Sequence, residues 1–344
     1  MKLSYYPYTI KLKQRFTIST NSRISTPAIM VEIEHDELVG FGEASLPPYL
    51  IEDQVSVINF LKKVNLEVFN DPLDLESIIQ FTDKIEEGNN AAKAAVDIAL
   101  HDLAGKILNV PLYKFLNNPK RDDLFSSYTI GITYEENLRM RIEDASEFKI
   151  LKVKLGTKDD KKIIKVIRSL TDKPIYVDVN QGWNDKYFAL DIISFLKEQN
   201  VILVEQPFSK ENLKDAAWLT ERSPLPIIAD EALQSIDELV KIKDVYSGIN
   251  IKLMKAGGVQ KAYQMIKKAR ELNLKVMIGC MTETSCAITA ASHLSSLADW
   301  IDLDGAELIS NDLFTGMKII NGRIIIPESP GLGIKKLENL KEIR

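Results

Sequence analysis

The chain has 344 residues, 45% of them hydrophobic and 27% charged, with a formal net charge of -5. That length buries a large core, expected as one big domain and one smaller, and the acidic balance leaves no electrostatic footprint for nucleic acid. The two cysteines, Cys280 and Cys286, are too few for a disulfide framework and fit a reducing compartment.

Residues 1–7 contain no apolar signal segment. No stretch reaches the ~18 apolar residues of a membrane span. A cytoplasmic protein with neither membrane nor nucleic-acid partner is expected, and a homo-oligomer stays open. Residues 1–115 read as an α+β unit, with strands over 3–12, 28–34 and 37–43 and a hairpin turn at His35-Asp36. A polar stretch, 19–26, separates the first two strands, and a proline-punctuated apolar loop, 45–51, follows the third. Loops of this kind often cover a ligand. Helical periodicity then runs over 54–64 and 91–106, where Ala95, Ile98, Ala99 and Leu103 make a small-residue face.

From Phe125 the pattern alternates. Strands are expected at 126–130, 148–154, 175–179, 201–204, 226–229, 248–253, 275–279 and 301–303. Helices such as 158–170, 187–199, 236–241 and 259–272 fall between them, and 287–297 lies between the last two strands. Eight strands with helical crossovers predict a (β/α)8 TIM-like barrel over 116–315 beside the α+β unit. An open doubly wound sheet would instead want a glycine-rich phosphate loop after its first strand, and this strand ends in Ile130-Gly-Ile-Thr. Residues 316–344, with a turn at Asn321-Gly322, are expected to return to the α+β unit.

A barrel carries its chemistry at the C-terminal strand ends. Here those ends bear Lys152 and Lys154, Asp178 and Asn180, Glu205, Asp230 and Glu231, Asn250 and Lys252, and finally Asp302 and Asp304. Any one could be a cap or a solvated rim. Their recurrence at successive strand ends is what points to a site. Asp178, Glu205 and Asp230 offer only oxygen, which selects Mg²⁺ or Mn²⁺ over zinc. Lys152 and Lys154 lie on strand two and Lys252 on strand six, diametrically opposite in an eight-stranded barrel. That arrangement suits removal of a proton from one face of a carbon and its return to the other, with amine pKa values lowered by their crowding against a metal.

Together, Lys152-Val-Lys154, Asp178-Val-Asn180, Glu205-Gln-Pro207, Asp230-Glu231 and Ile251-Lys-Leu-Met-Lys-Ala-Gly-Gly258 resemble the enolase superfamily in its muconate-lactonizing-enzyme subgroup, over nearly the whole chain. The resemblance implies for the α+β unit, together with residues 316–344, the role of a capping domain over the barrel. It implies Mg²⁺ on Asp178, Glu205 and Asp230, with Lys154 and Lys252 as the acid/base pair acting alpha to a carboxylate through an ene-diolate. Lys152 would support Lys154 and the developing oxyanion. Asp302-Leu-Asp304 looks like the motif of the dipeptide epimerases, two carboxylates forming a receptor for an ammonium. Met281-Thr-Glu283 also looks like the family's pattern, with Glu283 lining the site and Thr129 and Ile130 touching the peptide.

An L-Ala-D/L-Xaa dipeptide epimerase is therefore expected, its substrate a small dipeptide. A cycloisomerase or o-succinylbenzoate synthase of the same subgroup is the alternative. Alanine–glutamate epimerases of the family use an arginine of the first capping loop for the glutamate side chain. The register puts Asn21 there, with Arg23 two residues on, while Tyr49, Leu50 and Ile51 favour an apolar or aromatic second residue.

Overall fold

A computed structural model describes residues 1–337; the last seven residues of the 316–344 segment lie outside the described residues. Residues rich in β-branched and aromatic side chains build a long antiparallel pair, β1 (Lys2–Thr17) and β2 (Ser22–His35), to which β3 (Leu38–Ser45) adds. Spacing predicted a loop over 19–26. Instead β2 starts at Ser22, because β1 runs on far enough to pair Thr17 with Ser22 and Phe16 with Arg23. Polar Ser/Thr residues tolerate an exposed strand face, and alternation then turns Arg23 inward, where it is buried.

Four helices follow: α1 (Gln54–Leu61), α2 (Leu75–Lys84), α3 (Asn90–Ile107) and the single turn α4 (Leu112–Phe115). The small face of α3 lies directly on β3. A Cβ on Gly42 would stand 1.9 Å from the Ala95 carbonyl oxygen, so only glycine allows the approach. This contact makes α3 the buried spine of the unit.

Eight parallel strands form the second layer: β4 (Ser127–Ile130), β5 (Ile150–Lys154), β6 (Ile175–Asp178), β7 (Val201–Glu205), β8 (Ile227–Ala229), β9 (Gly248–Ile251), β10 (Lys275–Gly279) and β11 (Trp300–Asp302). They are hydrogen-bonded in sequence order from β4 to β11. The ends meet through side chains, Leu303 N donating to Ser126 Oγ at 2.8 Å and Ser127 Oγ to Asp302 Oδ1 at 2.7 Å. The result is a nearly closed TIM-type barrel. The helices are α5 (Glu135–Asp144), α6 (Asp160–Leu170), α7 (Lys186–Glu198), α8 (Leu213–Arg222), α9 (Leu239–Ile242), α10 (Leu253–Ala256), α11 (Val259–Glu271) and α12 (Ser285–Ser292). Strand six stops one residue before Lys252, which is the N-cap of the one-turn α10 rather than a strand residue.

The chain end divides its contacts. β12 (Phe314–Thr315) pairs with β15 (Lys335–Lys336), and Leu332 N donates to the buried Asp102 of α3 at 2.8 Å. The hairpin of β13 (Lys318–Ile320) and β14 (Arg323–Ile325) instead touches the entry to β4, with Ser126 N donating to Gly322 O and Ile324 N to Leu124 O. No described helix is long and apolar enough to cross a membrane.

Candidate active site

The strands deliver their charged ends to one mouth. Ligand oxygens of Asp178, Glu205 and Asp230, all buried, lie within 4.8 Å of one another. Parallel pairing enforces this, since Asp178 is in register with Glu205, and Lys154 with Asp178. Lys154 Nζ donates to Asp178 Oδ2 at 2.5 Å and Lys252 Nζ to Asp230 Oδ2 at 2.7 Å. Lys152 Nζ sits 2.7 Å from both Glu205 Oε2 and Asp302 Oδ2. Glu205 Oε2 has no aligned hydrogen-bond donor, while Oε1 accepts from Asn250 Nδ2 at 2.8 Å. Three close carboxylates, with no nitrogen or sulfur donor among them, are a donor set for a hard divalent cation.

Lowered amine pKa values are expected of lysines crowded against a metal. The carboxylates of the protein itself act in the opposite sense on Lys152 and Lys252. Burial does oppose the charged form of Lys252, but Asp230 and its neighbours outweigh it and hold the amine well above its usual range. Lys152 behaves alike, burial being outweighed by Asp302, Glu205 and Asp178. The carboxylates crowd each other in turn: burial and Asp178 push Glu205 up to about 8. Lys255, to which the strand-end argument gave no role, is pulled down by its burial although it donates to both Asp230 O and Oδ1 at 2.6 and 2.5 Å. Its signal was the i, i+3 spacing from Lys252 on one turn of helix.

A cavity of about 510 Å³ opens above these groups, between the barrel mouth and the β1–β3 unit. Lys152, Lys154, Lys252, Thr129, Asn180 and Met281 line it, as do Asp302, Asp304, Arg23, Tyr49 and Leu50. Four expected residues do not: Asp178 and Glu205, both 0% exposed, and also Ile130 and Glu283. Ile130 is buried in the outer core, because alternation along β4 turns it away from Thr129. Glu283 is buried beside the cavity rather than on it, accepting from Met281 N at 3.2 Å. Burial pushes it up to about 7. Asn180 lines the wall, its Nδ2 donating to Glu231 Oε1 at 3.2 Å and its Oδ1 left without a hydrogen-bond partner among the described residues.

The twin carboxylates of β11 are not equivalent. Asp302 is occupied, taking Lys152 on one oxygen and Ser127 on the other. Asp304 accepts from the neutral Thr129 N at 2.6 Å, and burial beside Asp302 pushes it up to about 7. Opposite them, Arg23 is 9% exposed, its guanidinium over Phe16 and Tyr49 at 5.2 and 5.8 Å from the ring centroids. It donates to Thr26, Asn21 and Thr282 at 3.2, 3.2 and 3.4 Å. No carboxylate among the described residues pairs with it.

Residues 6–117 match the family described as "Mandelate racemase / muconate lactonizing enzyme, N-terminal domain", and residues 134–339 match "Enolase C-terminal domain-like". The chain belongs to this family, within the enolase superfamily. Among curated relatives, the L-Ala-D/L-Glu epimerase of Bacteroides thetaiotaomicron is 51% identical, covering 98% of this chain and 88% of the relative. Two solved structures are similar throughout. One is a substrate-liganded L-Ala-D/L-Glu epimerase from Bacillus subtilis, with TM-score 0.91 and 29% identity over 98% of each chain. The other is a dipeptide epimerase from Enterococcus faecalis complexed with Mg and L-Leu-L-Tyr, with TM-score 0.90 and 30% identity over 97% of this chain and 98% of the other.

Proposed function

We propose that this protein is an Mg²⁺-dependent dipeptide epimerase that inverts the alpha carbon of the second residue, and that an acidic second residue is preferred. The observation that carries the second half is Arg23, a buried cation facing the cavity without a carboxylate partner among the described residues. A buried charge is costly until paired, and the side chain of an L-Ala-L-Glu substrate supplies the pair. The reading by which Tyr49 and Leu50 favour an apolar residue yields to this one, because Tyr49 is used in stacking over the guanidinium. Relatives of both specificities exist, and the one at 51% identity is the alanine–glutamate enzyme.

In this reading Asp178, Glu205 and Asp230 hold the cation, and the β1–β3 unit of residues 1–115, with the stretch around Leu332 that packs on α3, serves as the cap. When bound, the cation would offset the negative charge that builds on the substrate carboxylate as the alpha proton leaves. Mn²⁺ satisfies the same oxygen donors. Lys154 takes the proton from one face and Lys252 returns one to the other. Lys152, charged throughout, supports the carboxylate end. Asp304 receives the free ammonium, and Asp302 fixes Lys152. The cap excludes water, which strengthens each of these interactions.

Proton NMR in D₂O with Mg²⁺ tests the proposal on L-Ala-L-Glu, L-Ala-L-Leu and L-Ala-L-Phe. Loss of the second-residue alpha-proton signal, fastest for L-Ala-L-Glu, is expected. Exchange on none of them would sink the epimerase reading and favour the cycloisomerase or dehydratase chemistry of the subgroup. Fastest exchange on L-Ala-L-Phe would sink the role of Arg23.

A further inference from the structure

Gln206 is 0% exposed and follows Glu205 in a left-handed backbone conformation, φ +38°. Non-glycine residues sit there only when their surroundings over-determine them. What surrounds Gln206 is the set of loops that carry the three clustered carboxylates. Its carbonyl accepts from Gln181 N at 2.8 Å, three residues beyond Asp178, and its own N–H donates to Ile228 O of β8 at 2.9 Å. Its side-chain oxygen accepts from the backbone N of Asp230 at 2.9 Å and of Ala232 at 3.1 Å. Its side-chain nitrogen donates to Phe208 O at 3.0 Å and to the Tyr246 hydroxyl at 3.2 Å.

Both lone pairs and both protons of the amide are thus used, so its orientation is fixed. Gln181, whose N–H the Gln206 carbonyl accepts, is itself left-handed at φ 66°, as is Asn180 at 45°. The main chain of Gln206 thus ties the turn after β6 to the end of β7, and its side-chain amide ties the end of β7 to the loop after β8. A buried glutamine needed only to fill space would be replaceable by methionine. One whose side chain accepts from the backbone of Asp230 while it stands next to Glu205 links those two carboxylates, and its main chain adds the tie to the turn after Asp178.

We propose that Gln206 is a positioning residue whose side chain sets the separation of the Glu205 and Asp230 oxygens, and through it the affinity for the divalent cation. The inference rests on the proposed cation site and not on the identity of the dipeptide. It adds to that reading the feature that holds two neighbouring strand ends as one donor set.

The test is Mn²⁺ binding to the metal-stripped full chain without substrate, followed by electron paramagnetic resonance. Gln206→Met removes the bracket and is expected to raise the Mn²⁺ Kd about ten-fold or more, within the range that outer partners of metal ligands usually command. Tyr246→Phe deletes an outer partner but leaves the bond to Asp230, and should stay within about two-fold. Equal weakening by Tyr246→Phe and Gln206→Met would mean that loosened packing is responsible, and would overturn the proposal. So would wild-type affinity in folded Gln206→Met.

Should Gln206→Met fail to fold, Gln206→Asn decides, since it keeps the amide but is too short to reach Asp230 N. Ten-fold weaker Mn²⁺ binding supports the role, and unchanged binding refutes it. Turnover gives a second readout: excess Mg²⁺ should restore kcat in the weakened variant, and a kcat loss that Mg²⁺ cannot restore counts against positioning. Wild-type protein that binds no Mn²⁺ would remove the cation site itself, and this inference with it.

Discussion

Replacing Arg23 with methionine isolates the specificity reading from the chemistry. The guanidinium is almost fully desolvated, and burial holds its pKa below the usual arginine range. Its partners are hydroxyl and amide oxygens at 3.2 to 3.4 Å, so it carries charge that the free protein leaves uncompensated. Truncating one side of a buried, hydrogen-bonded charge pair costs about 2–5 kcal/mol. At ~1.4 kcal/mol per factor of ten, that is roughly a 30- to 4,000-fold loss. The long existing hydrogen bonds and the open cavity mouth place the expectation in the lower half, about 30- to 300-fold in kcat/KM for L-Ala-L-Glu. L-Ala-L-Leu should lose less than about three-fold, or gain, because Met keeps the apolar contact with Phe16 and Tyr49. Removing an unpaired buried charge should also raise the melting temperature of the free protein. The assay is alpha-proton exchange in D₂O for both dipeptides, with thermal unfolding alongside. An equal loss on both would make Arg23 a structural residue, and an unchanged rate on L-Ala-L-Glu in folded protein would refute the pairing.

Lys154→Ala and Lys252→Ala should each abolish epimerisation, with exchange surviving on at most one epimer; normal epimerisation by either would end the two-base mechanism. Asp304, pushed up to about 7, is neutral below that pH and charged above it. The kcat/KM for a dipeptide with a free ammonium should therefore fall as pH drops through about 7, and Asp304→Asn should be low and flat over that range. An identical acid limb in the variant would assign the titration elsewhere. Asp302→Asn should lower kcat through Lys152 while Asp304→Asn raises KM; matching effects on KM would restore the pair as a joint ammonium receptor. Asp97 of α3 accepts from Val259 N and Gln260 N at the start of α11, an N-cap supplied from another helix. Asp97→Ala should cost about 1–2 kcal/mol by denaturant unfolding, and a change within about 0.5 kcal/mol would show the cap to be idle.

The barrel was legible because six of its eight strands combine an apolar run with a charged end, and each such end fell within one or two residues of its observed place. Helix α2 escaped despite a clear stripe of Leu75, Ile78, Ile79 and Thr82, whereas α5 escaped because its amphipathic signal is faint. Only Leu138 of α5 is buried, so that helix has almost no apolar stripe to betray it. The opening of β2 reads as polar loop because its residues are serines and threonine. Only pairing with β1, a contact over sequence distance, makes it a strand.

That one difference decides how Arg23 is read. In a loop, a two-residue offset between Asn21 and Arg23 leaves either side chain free to face the substrate. In a paired strand, alternation removes the freedom: Arg23 is opposite Phe16 and turned inward, while Asn21 lies in the turn and accepts from the guanidinium. Lys255 escaped for a similar reason, since extending strand six to residue 253 hid the helical turn that brings it back over Asp230. Gln206 had no local signal at all. The amide is adjacent in sequence to one carboxylate, but what gives it work is the backbone of Asp230, which the barrel, and not the local sequence, brings within 2.9 Å. Spacing along a strand therefore finds the groups that face the substrate, while the groups that hold them in place become visible only once neighbouring strands are set side by side.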